Sequence, residues 1–105
     1  MPGDSTLLQN VSIHNKVILI TGAAGFVGAN LVMSLFNNIE NSLIIGVDSV
    51  NDYYDVSLKE YRLQQIVSSV KHDNQWIFKK GNIADKEFLQ SIFDGYKPDV
   101  VVNLA

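Results

Sequence analysis

Cysteine is absent from these 105 residues, which excludes a disulfide scaffold and any thiolate chemistry. Proline occurs only twice, and no proline-rich or other low-complexity stretch interrupts the chain. Lysine and arginine total 8 against 11 acids, a net charge of −3 with no basic block. A nucleic-acid footprint is therefore excluded. No apolar run approaches the roughly 18 residues needed to span a bilayer. Residues 1–15 are polar and lack the positive start and apolar stretch of a secretory signal. A soluble, cytoplasmic protein without nucleic-acid or membrane partners is the expectation. What is present is core-forming, with 47% hydrophobic residues against 18% charged. The length suits one domain, or one half of a larger one.

Residues 1–15 read as a polar leader of low order, and residues 16–105 as the folded unit. Lys16 to Thr21 is a short β-branched run that reads as a buried central strand. From Phe26 to Ile39, Val27, Leu31 and Leu35 recur every fourth position, with Gly28, Val32 and Phe36 beside them. That is one apolar helical face. Asn37-Asn38 and Asn41-Ser42 supply the turn back, and Leu43 to Val47 forms a second strand. Ser57-Leu58-Lys59-Glu60 has the form of a capping box, and Leu63, Ile66, Val67 and Val70 follow at helical spacing. Trp76-Ile77-Phe78 predicts a third strand, with Trp76 in the core. Asp85 can cap a helix carrying Phe88, Leu89, Ile92 and Phe93, with Gly95 as its terminator. Pro98 precedes a fourth strand, Asp99 to Leu104. The order βαβαβαβ predicts an α/β fold, a Rossmann-type doubly wound parallel sheet in the order 3-2-1-4.

Gly22-Ala23-Ala24-Gly25-Phe26-Val27-Gly28 joins the first strand to the first helix, and Asp48 follows Gly28 by 20 positions. Strand, glycine turn, helix, strand and acid in this order form a dinucleotide-binding half-site. The glycines let the backbone approach a pyrophosphate, whose charge sits at the helix N-terminus. Asp48 would accept hydrogen bonds from an adenosine ribose and repel a 2′-phosphate, so NAD is expected over NADP. Other polar residues read more plainly. Tyr53 and Tyr54 are expected to pack, and Arg62 to pair on the surface with Glu60 or Asp55. His14 and His72 have no ligand-spaced neighbours, so no metal site is expected.

The glycine spacing is G-x-x-G-x-x-G, and Thr21 to Gly28 matches each fixed position of T-G-x-x-G-F-[IV]-G. In this the chain resembles the extended short-chain dehydrogenases. Asp48-Ser49-Val50-Asn51-Asp52-Tyr53-Tyr54-Asp55, then Leu58-Lys59 and Arg62-Leu63, is similar to the UDP-glucuronate 4-epimerases of capsule and cell-wall pathways. Two departures stand out. Asn82-Ile83-Ala84-Asp85 replaces the usual Asp-Ile-x-Asp, and Val101 to Ala105 carries Asn103 where the family has histidine. The resemblance covers residues 16–105. It implies NAD held by Gly22, Gly25, Phe26, Val27, Gly28, Asp48, Asn51, Lys59, Asn82, Ile83 and Leu104. Asn51 and Lys59 would lie near the adenosine ribose, and the Asn82 amide oxygen would face the adenine amino group.

For the intact enzyme the resemblance implies a UDP-sugar substrate, most closely UDP-glucuronate, epimerised through a 4-keto intermediate as NAD takes and returns a hydride. A related dehydratase or decarboxylase, or a non-catalytic NAD-binding module, stays open, as does a homodimer. Family catalysis rests on a tyrosine with a lysine four residues later. Tyr53, Tyr61 and Tyr96 are followed at that spacing by Ser57, Gln65 and Val100, while Tyr54 and Lys59 are five apart. No catalytic residue is therefore assigned, and the chain by itself is expected to be inactive. In the family the motif lies downstream of the fourth strand, so the expectation is a Rossmann half-domain truncated after that strand.

Overall fold

The computed structural model describes residues 13–50 and 56–105. Among these residues six strands and three helices follow one another. They are β1 (Ile13–His14), β2 (Val17–Thr21), α1 (Phe26–Phe36), β3 (Ile39–Glu40), β4 (Leu43–Asp48), α2 (Val56–Ser69), β5 (Gln75–Lys80), α3 (Lys86–Tyr96) and β6 (Val100–Asn103). The main sheet has the order β5-β4-β2-β6, with every pairing parallel. This is the expected 3-2-1-4 arrangement. Asn51, Tyr53 and Tyr54, and residues 1–12 of the leader, lie outside the described residues.

Alternation along the two central strands sends side chains to opposite layers. Ile18, Ile20 and Ile44 join Val32 and Phe36 of α1 and Ile66 of α2 in one buried cluster. Leu19, Ile45 and Val47 join Ile92 of α3 in the other, with Phe88 and Leu89 packed against it. Trp76 packs half-buried on the first cluster, its ring edge-on to Phe36 at 6.4 Å between centroids. Helices on both faces make the parallel sheet stable, because each strand then buries both of its sides.

Four local expectations are corrected. The first helix stops at Phe36 rather than running to Ile39. Asn37 and Asn38 turn their side-chain amides back to the carbonyls of Met33 and Ser34, satisfying the last turn and releasing the chain. Ile39 is then buried in β3, which pairs in parallel with β1, so residues 13 and 14 of the supposed leader are ordered backbone. Ser57 lies inside α2 rather than at its cap, since Val56 is already helical. Gly95 continues α3, and Lys97 ends it in the left-handed conformation (φ 49°), its N–H donating to Phe93 O. Pro98 follows, so the helix could not have continued far in any case. Asp85 does cap α3, its side chain accepting from Phe88 N–H.

Candidate functional site

At the carboxyl ends of β2 and β4 the chain turns out of the sheet into a cleft of about 340 Å³. Ligands of open α/β sheets bind at this edge. The turn after β2 is pinned from below, since Gly22 N–H and Ala23 N–H both donate to Val47 O at 2.8 and 3.2 Å. Gly22 sits at φ +74°, and a Cβ there would lie 2.8 Å from the backbone of Leu104. A Cβ at Gly28 would overlap the Gly22 carbonyl. Both glycines are therefore demanded by close backbone approach. Gly25 differs, because its added Cβ would meet only Gly22 O, at 3.3 Å.

Gly25 is also the N-cap of α1, and no side chain caps that end. The first N–H groups of a helix have no intrahelical acceptor and carry the positive end of the dipole. An uncapped helix start opening on a cleft suits an anion. Phe26 and Val27 in that first turn are 70% and 63% exposed. Neither lines the cleft.

Asp48 ends β4 with its side chain buried. Its Oδ2 accepts from Ala24 N–H at 3.1 Å, and its Oδ1 from Val50 N–H at 2.9 Å and Lys59 Nζ at 3.0 Å. The carboxylate thus ties together the glycine turn, the segment after β4 and helix α2. A carboxylate offers about four acceptor positions, and donors among the described residues take three of them. Lys59 is itself largely covered, its side chain 17% exposed.

Of the residues singled out in the sequence, Gly22, Gly25, Asp48, Lys59, Asn82, Ile83 and Leu104 converge on this cleft. Gly28 is buried behind it. Asn82 follows β5, and its Oδ1 already accepts from Ala84 N–H at 2.8 Å, shaping the turn into α3. Leu104 N–H donates to Thr21 O and to Thr21 Oγ1. Val47, Ser49, Gly81 and Ala105 also line the cleft and were missed. Ser49 and Gly81 directly follow strand ends, a positional signal that parallel sheets provide and side-chain chemistry does not. Arg62 is the other surprise. Its Nη1 donates to Ala24 O at 3.3 Å, rather than its guanidinium serving only as a surface partner for an acid. Among the described residues no group of three His, Asp or Glu side chains converges as a metal site would require.

Residues 19–105 match the family model described as GDP-mannose 4,6 dehydratase. The chain belongs to this family. It is 46% identical over 88 residues to Protein CapI of Staphylococcus aureus, covering 84% of this chain and 24% of that protein. A UDP-glucuronate 4-epimerase of Thermodesulfobacterium geofontis is 36% identical over 87 residues, 83% of this chain and 25% of the epimerase. A dTDP-D-glucose 4,6-dehydratase of Dictyostelium discoideum is also 36% identical, covering 84% of this chain and 18% of the dehydratase. Over these residues epimerase and dehydratase are equally similar. The chain spans about a quarter of the length of the curated relatives it matches. Among solved structures, Epimerase Mth375 of Methanothermobacter thermautotrophicus superposes with a TM-score of 0.57 at 30% identity, over 88% of this chain and 23% of its own. A carveol dehydrogenase of Mycobacterium avium in complex with NAD reaches 0.68 at 20% identity, over 90% and 36%, which bears on the fold alone.

Proposed function

We propose that this cleft holds the adenosine and pyrophosphate of NAD for a nucleotide-sugar enzyme, and that the enzyme is a 4-epimerase acting on UDP-glucuronate. The observation that carries the cofactor reading is the pairing of an uncapped helix start with a buried carboxylate at one sheet edge. The first turn of α1, whose N–H groups no described side chain caps, would face the pyrophosphate, and Gly22 and Gly25, with their own N–H groups taken by Val47 O and Gly22 O, would leave room for its approach. Asp48 would accept from the ribose hydroxyls, with Lys59 beside it and Asn82 and Ile83 toward the adenine. NAD would supply a hydride acceptor and donor at the sugar. The residues of this chain bind and orient, and the proton-transfer groups are not among them.

UDP-glucuronate is favoured by the run from Asp48 to Asp55, with Leu58-Lys59 and Arg62-Leu63, and by the 36% identity to a UDP-glucuronate 4-epimerase. The family description and the equally similar dTDP-glucose dehydratase favour a second reading, 4,6-dehydration. Isothermal calorimetry on the 105-residue chain should show NAD binding more tightly than NADP. Equal affinities would overturn the preference for NAD, and binding of neither would overturn the cofactor reading. The full-length protein incubated with NAD and UDP-glucuronate should form UDP-galacturonate, whereas conversion of GDP-mannose or dTDP-glucose to a 4-keto-6-deoxy sugar would establish the dehydratase. The 105-residue chain alone is expected to form neither product, because no tyrosine in it has a lysine four residues on.

A further inference from the structure

We infer that Arg62 is a positioning residue for dinucleotide binding, acting on the glycine turn from helix α2; this rests on the cofactor reading of the cleft. The peptide joining Ala24 to Gly25 is held at both ends. Its carbonyl accepts from Arg62 Nη1 at 3.3 Å, and its N–H donates to Gly22 O at 3.1 Å. The preceding peptide is held by Asp48, which takes Ala24 N–H. These two peptides set the direction of the backbone as it enters the first turn of α1, where the anion site lies. The Arg62 guanidinium also lies over the Phe26 ring, 5.9 Å from its centroid. Phe26 is 70% exposed, so the core does not fix its ring, and the cation–π contact ties this first helical residue to α2. Arg62 thus grips both sides of Gly25, through Ala24 O and through Phe26. A planar guanidinium can donate along its edge and stack on its face, which an ammonium cannot do at once.

The test uses the 105-residue chain and calorimetric titration with NAD, ADP and adenosine, together with urea midpoints. Arg62→Ala should weaken NAD and ADP by about tenfold, the scale of a lost charge-assisted hydrogen bond. Adenosine, which carries no phosphate for the turn to meet, should bind as before. A merely structural arginine would lower all three affinities together, in step with the urea midpoint. Arg62→Gln, which keeps one planar donor, should restore part of the ADP affinity, and it serves in place of Arg62→Ala if that variant fails to fold. In Phe26→Ala the effect of Arg62→Ala should shrink, because the two contacts act on the same turn. Unchanged ADP affinity in a folded Arg62→Ala would overturn the inference while leaving the cofactor reading intact. Wild-type chain that binds none of the three would overturn both.

Discussion

A methyl group added at Gly28 would overlap the carbonyl oxygen of Gly22, whereas one added at Gly25 would rest 3.3 Å from the same atom. The two substitutions should therefore separate folding from binding. Gly28→Ala should destabilise the chain by about 1–3 kcal/mol or more, as overpacking against backbone does, read as a lower urea midpoint. Gly25→Ala should keep the circular-dichroism spectrum near wild type and weaken NAD binding in calorimetry, since its Cβ enters space the pyrophosphate would use. In the proposed reading Asp48 carries two roles at once. Asp48→Asn should narrow the preference for NAD over NADP, measured by competitive titration, because the charge opposing a 2′-phosphate is gone. The same variant replaces the charged partner of Lys59, at 3.0 Å, with a neutral amide. A loss of about 1–3 kcal/mol in unfolding free energy is expected, because the largely buried ammonium loses its counter-charge and the amide nitrogen cannot accept the backbone N–H that one carboxylate oxygen took.

Helix ends show how local rules compete. Asp85 obeys the capping rule, with its side chain on Phe88 N–H, so Asp85→Ala should cost about 1 kcal/mol. At the other end of α3, Lys97 rather than a glycine takes the left-handed position at φ 49°. Removing its Cβ relieves that conformation, so Lys97→Gly should stabilise the chain by up to about 1 kcal/mol. Equilibrium urea denaturation of the two variants should show shifts of opposite sign. Ser57 to Glu60 spells a capping box, yet Val56 is already helical, so Ser57 is not the cap of α2. Asn37 and Asn38 illustrate the converse. Their amides close off α1 at Phe36, although the apolar spacing continues to Ile39.

Across the whole molecule, β6 is an edge of the main sheet, pairing with β2 alone among the described strands. Val100 and Val101 are 41% and 48% exposed there. An apolar edge with free backbone groups pairs readily with another strand. The 105-residue chain at high concentration should therefore self-associate in sedimentation velocity, and Val101→Lys should shift it toward monomer. Association unaffected by the charge would exclude this edge as the contact.

Sequence alone determined the layer order and the place of the candidate site. Short β-branched runs alternating with 3.6-period segments admit few arrangements, and the parallel strands β2 and β4 deliver Gly22 and Asp48 to the same sheet edge. The pairing of β1 with β3 was not legible, because two-residue strands carry no period and join residues 26 positions apart. Nor could spacing show that Arg62 reaches Ala24, 38 residues away. That contact depends on how α2 packs against α1, which the burial of Val32, Phe36 and Ile66 in one cluster decides. Local periodicity reports which face of an element is apolar. Which side chains then meet across the cleft is settled only when those faces are buried against each other, because the contact distances follow from packing and not from separation along the chain.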